Sequence, residues 1–215
     1  MSRVKLKICG VKSVEEARLL RNSGVDLVGL NFIPVSRRYI SLDTARDIMA
    51  ELAGSNIQTV ALFADHPLAE VNTFAESLKV DYVQLHGDET ADYAKDVQAE
   101  VIKAIAFKPG QTPEDLIEFI NNFPADYFVL DRPRQGQGDV VNAEQAAEII
   151  AARPNKIFLA GGLAADNLTE ILVQTNPYGI DIAGGVRDAM DRLDITKVNS
   201  CLQIIRTLTG DNLGG

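Results

Sequence analysis

A closed (β/α)8 barrel is the fold this 215-residue chain predicts, on three observations. Short apolar runs of strand length alternate with stretches of helical periodicity, which calls for a parallel sheet covered by helices. The alternation repeats eight times, at roughly 25 residues a unit, and eight such units close a barrel. No Pro/Ser-rich linker or shift in composition divides the chain, so one domain over 1–209 is expected, with 210–215 as a frayed tail. An open doubly wound sheet is the structural competitor.

The elements follow in order. Leu6 and Ile8 alternate with Lys5 and Lys7, the pattern of a short strand with one apolar face, and Gly10 ends it. Ser13-Val14-Glu15-Glu16 reads as a capping box opening a helix to Ser23, with Gly24 as its C-cap. Strand two is Leu27–Phe32. A loop, Ile33 to Ile40, then leads to Ser41, which caps a helix through Ala53. Ile57–Ala64 is strand three, and Pro67 opens a helix through Leu78. Tyr82–His86 is strand four, followed by an acidic helix start at Asp88 and Glu89. Val101–Phe107 is strand five, and Thr112-Pro113 supplies an N-cap with proline in the first helical position. Tyr127–Asp131 is strand six, before a polar loop, Arg132–Val141, and a helix capped by Asn142. Ile157–Gly161 and a helix over Asp166–Gln174 form unit seven. Gly179–Gly185 is strand eight, and Ile195–Leu208 the last helix, with Ile195, Val198, Leu202 and Ile205 on one face.

Composition narrows the function. Hydrophobic residues at 46% and charged ones at 24% describe a globular chain with a sizeable core. A formal net charge of −9 argues against nucleic acid or an anionic membrane as partner. It leaves room for a small anionic ligand, which a few local donors can hold. Two cysteines far apart make neither a disulfide framework nor a metal-ligand set. The first residues lack the apolar core of a signal peptide, and no apolar run approaches 18 residues, so a cytoplasmic setting is expected.

In a barrel, chemistry belongs at the C-terminal ends of the strands. Cys9, Arg38, His86, Asp131 and the pairs Gly161-Gly162 and Gly184-Gly185 sit there or in the loop that follows. Glycines let backbone N–H groups approach an anion, and barrels often bind phosphate beside strands seven and eight; the plain alternative is two tight turns. Cys9 is either a small buried hydrophobe or, with its pKa lowered, a base. Asp131 closes an apolar strand, where it either caps a loop or serves as an acid with a raised pKa. Arg38 is a solvated charge or a fork for a carboxylate. His86 has the weakest case. Cys201, on the last helix, reads as core packing. No metal site is expected.

Lys7-Ile8-Cys9-Gly10, Ser36-Arg37-Arg38-Tyr39-Ile40-Ser41, Val83-Gln84-Leu85-His86-Gly87, Leu130-Asp131, Leu159-Ala160-Gly161-Gly162-Leu163 and Asp181-Ile182-Ala183-Gly184-Gly185-Val186 stand in one order along the chain. Together they resemble the phosphoribosylanthranilate isomerase family of tryptophan biosynthesis. Two stretches differ from that family's pattern. The loop after Asp131 reads Gln135-Gly136-Gln137-Gly138-Asp139, not Gly-Gly-Thr-Gly followed by Phe-Asp-Trp. After strand eight, Gly184-Gly185-Val186-Arg187 stands for Ser-Gly-Val-Glu, and Leu193-Asp194 ends a stretch without the Pro-Gly pair.

The resemblance implies a cofactor-free Amadori rearrangement of N-(5-phosphoribosyl)anthranilate to 1-(2-carboxyphenylamino)-1-deoxyribulose 5-phosphate. It implies Asp131 as general acid and Cys9 as general base. Arg38 and His86 would bind substrate, and backbone donors at Gly161, Gly162, Gly184 and Gly185 the phosphate. The expected partner is a phosphorylated small molecule, and the chain a monomer or homodimer. Two other readings stay open: a paralogous barrel isomerase for another sugar phosphate, and a non-catalytic barrel that binds phosphate ligands.

Overall fold

The computed structural model describes residues 4–106, 110–131, 143–154 and 156–210. Eight strands and eight helices alternate along the chain, and the strands follow one another around a closed barrel in sequence order. The strands are β1 (Lys5–Cys9), β2 (Leu27–Asn31), β3 (Gln58–Phe63), β4 (Tyr82–Leu85), β5 (Glu100–Ala106), β6 (Tyr127–Asp131), β7 (Ile157–Ala160) and β8 (Gly179–Ile182). The helices are α1 (Val14–Leu20), α2 (Leu42–Leu52), α3 (Leu68–Leu78), α4 (Ala91–Lys95), α5 (Pro113–Asn122), α6 (Ala143–Ala152), α7 (Leu168–Thr175) and α8 (Ile195–Thr209). The predicted tail beyond Gly210, the loop 132–141 and the cap at Asn142 lie outside the described residues. Among the described residues no helix is long and apolar enough to cross a membrane.

Within this fold the chain forms two compact units. One comprises Met1–Leu6, Ile105–Asn122 and Val129–Gly215, the other Lys7–Ala104 and Phe123–Phe128.

In the second unit β1 to β5 pair in parallel, with Cys9 opposite Gly29, Asn31 opposite Leu62, and Leu62 opposite Gln84. Partners in a parallel ladder share a face, so this register decides which side chains line the inside. It also corrects one expectation. Lys7 was to lie on the polar face of β1, yet its side chain is fully buried. A barrel strand has no solvent face, because helices cover its outside and side chains fill its inside.

The helix caps follow the sequence closely where a hydroxyl was in place. The Ser13 hydroxyl accepts from Glu16 N, and that of Ser41 accepts from Thr44 N. Thr112 and Asp115 cap each other reciprocally, at 3.3 and 2.8 Å. Unit four differs. Asp88 and Glu89 precede the helix, and Thr90 caps α4 through Tyr93 N. Glu89 is instead drawn into the interior by a cation on the next strand, described below. In unit seven the helix starts at Leu168, two residues later than expected.

The first unit buries the apolar stripe of α8 through Val198, Cys201, Leu202 and Ile205. Burial pushes the Cys201 thiol up to about 11, and the nearby Asp166 charge adds to it. Cys201 is therefore an inert core residue, as its helical spacing suggested.

Candidate active site

Cys9 ends β1, half-buried, and the turn after it is built for close approach. Gly10 and Val11 both donate their N–H to the Gly29 carbonyl, at 2.9 and 3.0 Å, which ties the end of β1 to β2. Gly10 adopts a left-handed φ of +77°. Its missing side chain is the seat of Arg38: a Cβ there would overlap Arg38 Cδ and lie 3.0 Å from Arg38 Cβ. The aliphatic stem of Arg38 thus lies across the residue next to Cys9.

Gly29 gives room on the other side. A Cβ at Gly29 would meet Cys9 Sγ at 3.3 Å and Leu62 Cδ1 at 3.0 Å, so the thiol packs over a glycine.

The loop carrying Arg38 is held by short-range bonds. Asn31 Oδ1 accepts from Ile33 N at 2.9 Å, and the Asn31 carbonyl accepts from Ile40 N at 2.9 Å. Ser36 Oγ accepts from Arg38 N at 3.1 Å. These Asx- and Ser-turn bonds fold residues 31–40 back on themselves, which returns Arg38 to Gly10.

His86 follows β4. Its N–H donates to the Phe63 carbonyl at 2.8 Å, its Nδ1 lies 3.4 Å from Gln84 Nε2, and its side chain is exposed. The loop after it is fixed by a buried ion pair. Lys103 Nζ lies 2.9 Å from Glu89 Oε2 and also donates to the carbonyls of Leu85 and Gly87. The same carboxylate accepts from Asp65 N at 2.9 Å and Gly87 N at 3.1 Å.

Burial pushes the Glu89 carboxyl up, but the Lys103 ammonium and the Asp65 and Glu89 N–H groups outweigh it and hold the carboxyl below its ordinary range. A carboxyl lowered by folding stabilises the fold fully above its unfolded pKa of about 4.3, and that stability is lost as pH falls through the folded value. Acid unfolding of the wild type is therefore expected to be steeper than that of Glu89→Gln. Lys103→Met leaves Glu89 buried without its cation. It is expected to lower the unfolding free energy by about 3–5 kcal/mol, read from a urea titration.

In the other unit, Asp131 is the half-buried last residue of β6. Gly161 and Gly162 leave β7 with consecutive left-handed φ values of +89° and +64°, and nothing lies within 4 Å of a Cβ at Gly162. Asn167 braces the same loop, accepting from Ala164 N at 3.0 Å and donating to the Gly162 carbonyl at 2.8 Å. Gly185 comes against that loop: a Cβ there would overlap the Leu163 carbonyl and lie 2.9 Å from Ala164 Cβ. The two glycine pairs are thus brought together by backbone contact. Among the described residues, the N–H groups of Gly162, Gly184 and Gly185 have no acceptor within the chain.

Every candidate residue read from the sequence stands at the C-terminal end of its strand or in the loop that follows. Arg38 is brought against Gly10, the residue after Cys9, and Gly185 against the loop that follows Gly161-Gly162. Among the described residues no group of three or more His, Cys, Asp or Glu is arranged to hold a metal ion. Sequence reasoning missed Gly29 under the thiol, the Glu89–Lys103 pair and Asn167 as a loop brace. Gly29 carried a signal, as a glycine inside an otherwise apolar strand; Lys103, on the face away from the barrel axis, carried none.

The family model for N-(5'-phosphoribosyl)anthranilate isomerase matches residues 6–204. The chain belongs to the phosphoribosylanthranilate isomerase family. An isomerase of that name from Pelobacter propionicus is 34% identical over 207 residues, covering 94% of this chain and 96% of its own. One from Geobacter sulfurreducens is 35% identical over 204 residues, covering 93% and 97%. The crystal structure of the Thermus thermophilus phosphoribosylanthranilate isomerase superposes with a TM-score of 0.81 at 32% identity, covering 95% of this chain and all of the other. A further isomerase structure, with a TM-score of 0.78 at 26% identity and covering 96% and 99%, holds reduced 1-(o-carboxyphenylamino)-1-deoxyribulose 5-phosphate. The phosphoribosylanthranilate isomerase barrel is therefore the fold of this chain, as the eight-unit repeat predicts.

Proposed function

We propose that this chain isomerises N-(5'-phosphoribosyl)anthranilate to 1-(o-carboxyphenylamino)-1-deoxyribulose 5-phosphate, without a cofactor. The observation that carries the reading is the seating of Arg38 across Gly10, which brings the stem of this cation to the residue next to the Cys9 thiol at the end of β1. A substrate with a carboxylate on one ring and an abstractable proton a few bonds away suits that pair.

Asp131 is the general acid. It gives its proton to the furanose ring oxygen as the C1′–O4′ bond breaks, and the anilinic nitrogen lone pair forms the C1′=N iminium. Cys9, as thiolate, removes the proton from C2′, and the C–H electrons form the C1′=C2′ bond of an enolamine. The enol hydroxyl then loses its proton while C1′ gains one, which leaves the ketone. No atom is gained or lost overall, and proton exchange returns both groups to their starting states. General acid–base help of this kind is worth about 10²–10⁴-fold a group.

Arg38 pairs with the anthranilate carboxylate in a fork geometry, with His86 as a further substrate contact. Gly161, Gly162, Gly184 and Gly185 cradle the phosphate through backbone N–H groups. Residues 1–209 act as one barrel domain, in a cytoplasmic setting, on a phosphorylated small molecule rather than nucleic acid. The Thermotoga maritima relative is described as dimeric; a monomer or a homodimer is proposed here.

Arg38→Met tests the carboxylate contact. A charge-assisted bond of about 1.5–3 kcal/mol is lost, so KM for phosphoribosylanthranilate is expected to rise roughly 10–100-fold. An unchanged KM in a folded Arg38→Met variant removes the contact from the account.

A further inference from the structure

The loop between β8 and α8 is a small hairpin built around one buried cation. Arg187 follows Gly184-Gly185-Val186 and is only 4% exposed. Its N–H donates to the Gly184 carbonyl at 3.1 Å, closing a turn over the glycine pair. Its guanidinium reaches forward, and Nη1 donates to the Asp191 carbonyl at 2.8 Å. Its own carbonyl accepts from Lys197 Nζ at 2.7 Å, from the first turn of α8. Arg187 also bridges Leu193 across the hairpin, and Asp194 N returns to the Val186 carbonyl at 2.9 Å. Asp191 completes the bend in a left-handed conformation, φ +57°.

A guanidinium is costly to bury and rarely sits inside a loop merely to fill space. Here it is two residues from Gly185, whose backbone is pressed against the β7–α7 loop with no room for a side chain. Movement of Arg187 is thus passed to Gly184 through the turn and to Gly185 through the chain. Two cations, Arg187 and Lys197, converge on this loop, and a cation set in low dielectric acts on a neighbouring anion more strongly than one in water.

We propose that Arg187 is a positioning residue for the substrate's phosphate. Its guanidinium, fixed on the Asp191 carbonyl, pins the hairpin that holds Gly184 and Gly185 in their anion-binding conformation and places a buried positive charge on the residue two positions after Gly185. This rests on the reading of the glycine pairs as the phosphate cradle. It also gives a physical sense to Arg187 standing where the resembled family has glutamate: a turn lined by two glycines has no side-chain donor of its own, and the buried cation strengthens it.

The test compares KM and kcat for phosphoribosylanthranilate, and the competitive Ki of inorganic phosphate, in wild type, Arg187→Met, Arg187→Lys and Gly185→Ala. In Arg187→Met, KM and the phosphate Ki are expected to rise together about tenfold, near 1.4 kcal/mol, while kcat stays within about twofold. Arg187→Lys should recover most of that loss, which a purely structural role would not give. Should Arg187→Met not fold, Lys197→Met carries the test, because it frees the Arg187 carbonyl while leaving the buried side chain in place. A several-fold rise in KM and phosphate Ki supports the proposal, and no change overturns it. An unchanged phosphate Ki in a folded Arg187→Met variant overturns it directly. If Gly185→Ala loses phosphate affinity while Arg187→Met does not, the proposal fails and the cradle stands. If neither variant changes it, both fail.

Discussion

Asp131→Asn is expected to cut kcat for phosphoribosylanthranilate by about 10²–10⁴-fold with little change in KM. The amide keeps the shape of the carboxyl at the end of β6 but has no proton to give the ring oxygen. Cys9→Ser should fall by a similar factor, because a hydroxyl of the same reach is a far weaker base at neutral pH. The two groups serve different steps of one reaction, so the double variant is not expected to multiply the single losses. A kcat within a few fold of wild type in either folded variant would remove that residue from the chemistry.

The second large effect is expected at Gly10, which touches no substrate in this account. Gly10→Ala forces a side chain into a left-handed position, φ +77°, at roughly 1–2 kcal/mol. The new methyl also overlaps the stem of Arg38. The arginine must leave its seat, and the fork that holds the carboxylate goes with it. KM is expected to rise at least tenfold, with a loss of stability seen as a lower thermal midpoint. Restoring space by trimming Arg38 in Gly10→Ala/Arg38→Ala should return the stability lost to the overlap, leaving the cost of the left-handed backbone, but should not return the KM. That split separates strain from lost binding.

How much of this was legible in the sequence depends on the range of the interactions involved. The Ser13, Ser41 and Thr112 caps are local, and hydroxyl placement alone locates their helices. The glycines after β7 are also local signals, because consecutive left-handed residues at the end of a strand require glycine, whereas Gly185 after β8 is required by the close approach of the Leu163 carbonyl. Long-range partners were not readable. Lys7 looks solvent-facing from its alternation with Leu6 and Ile8, and only barrel closure buries it. Asp88-Glu89 resembles a helix start, yet Lys103 on the neighbouring strand takes Glu89 inward and leaves the cap to Thr90.

The candidate site divides the same way. Cys9 and Asp131 were found from their places at strand ends. That Gly10 is the seat of Arg38 needed the β2–α2 loop folded back by Asn31 and Ser36. The brace at Asn167 and the hairpin around Arg187 likewise depend on two loops meeting, which spacing along the chain does not encode.

The most direct test of the central claim is turnover of freshly generated phosphoribosylanthranilate by the wild-type protein, followed as loss of its fluorescence and checked by the mass and retention of the ketose product. The account predicts rapid loss of signal with formation of 1-(o-carboxyphenylamino)-1-deoxyribulose 5-phosphate, with no added cofactor or metal. A folded protein that leaves the signal at the uncatalysed rate would contradict it.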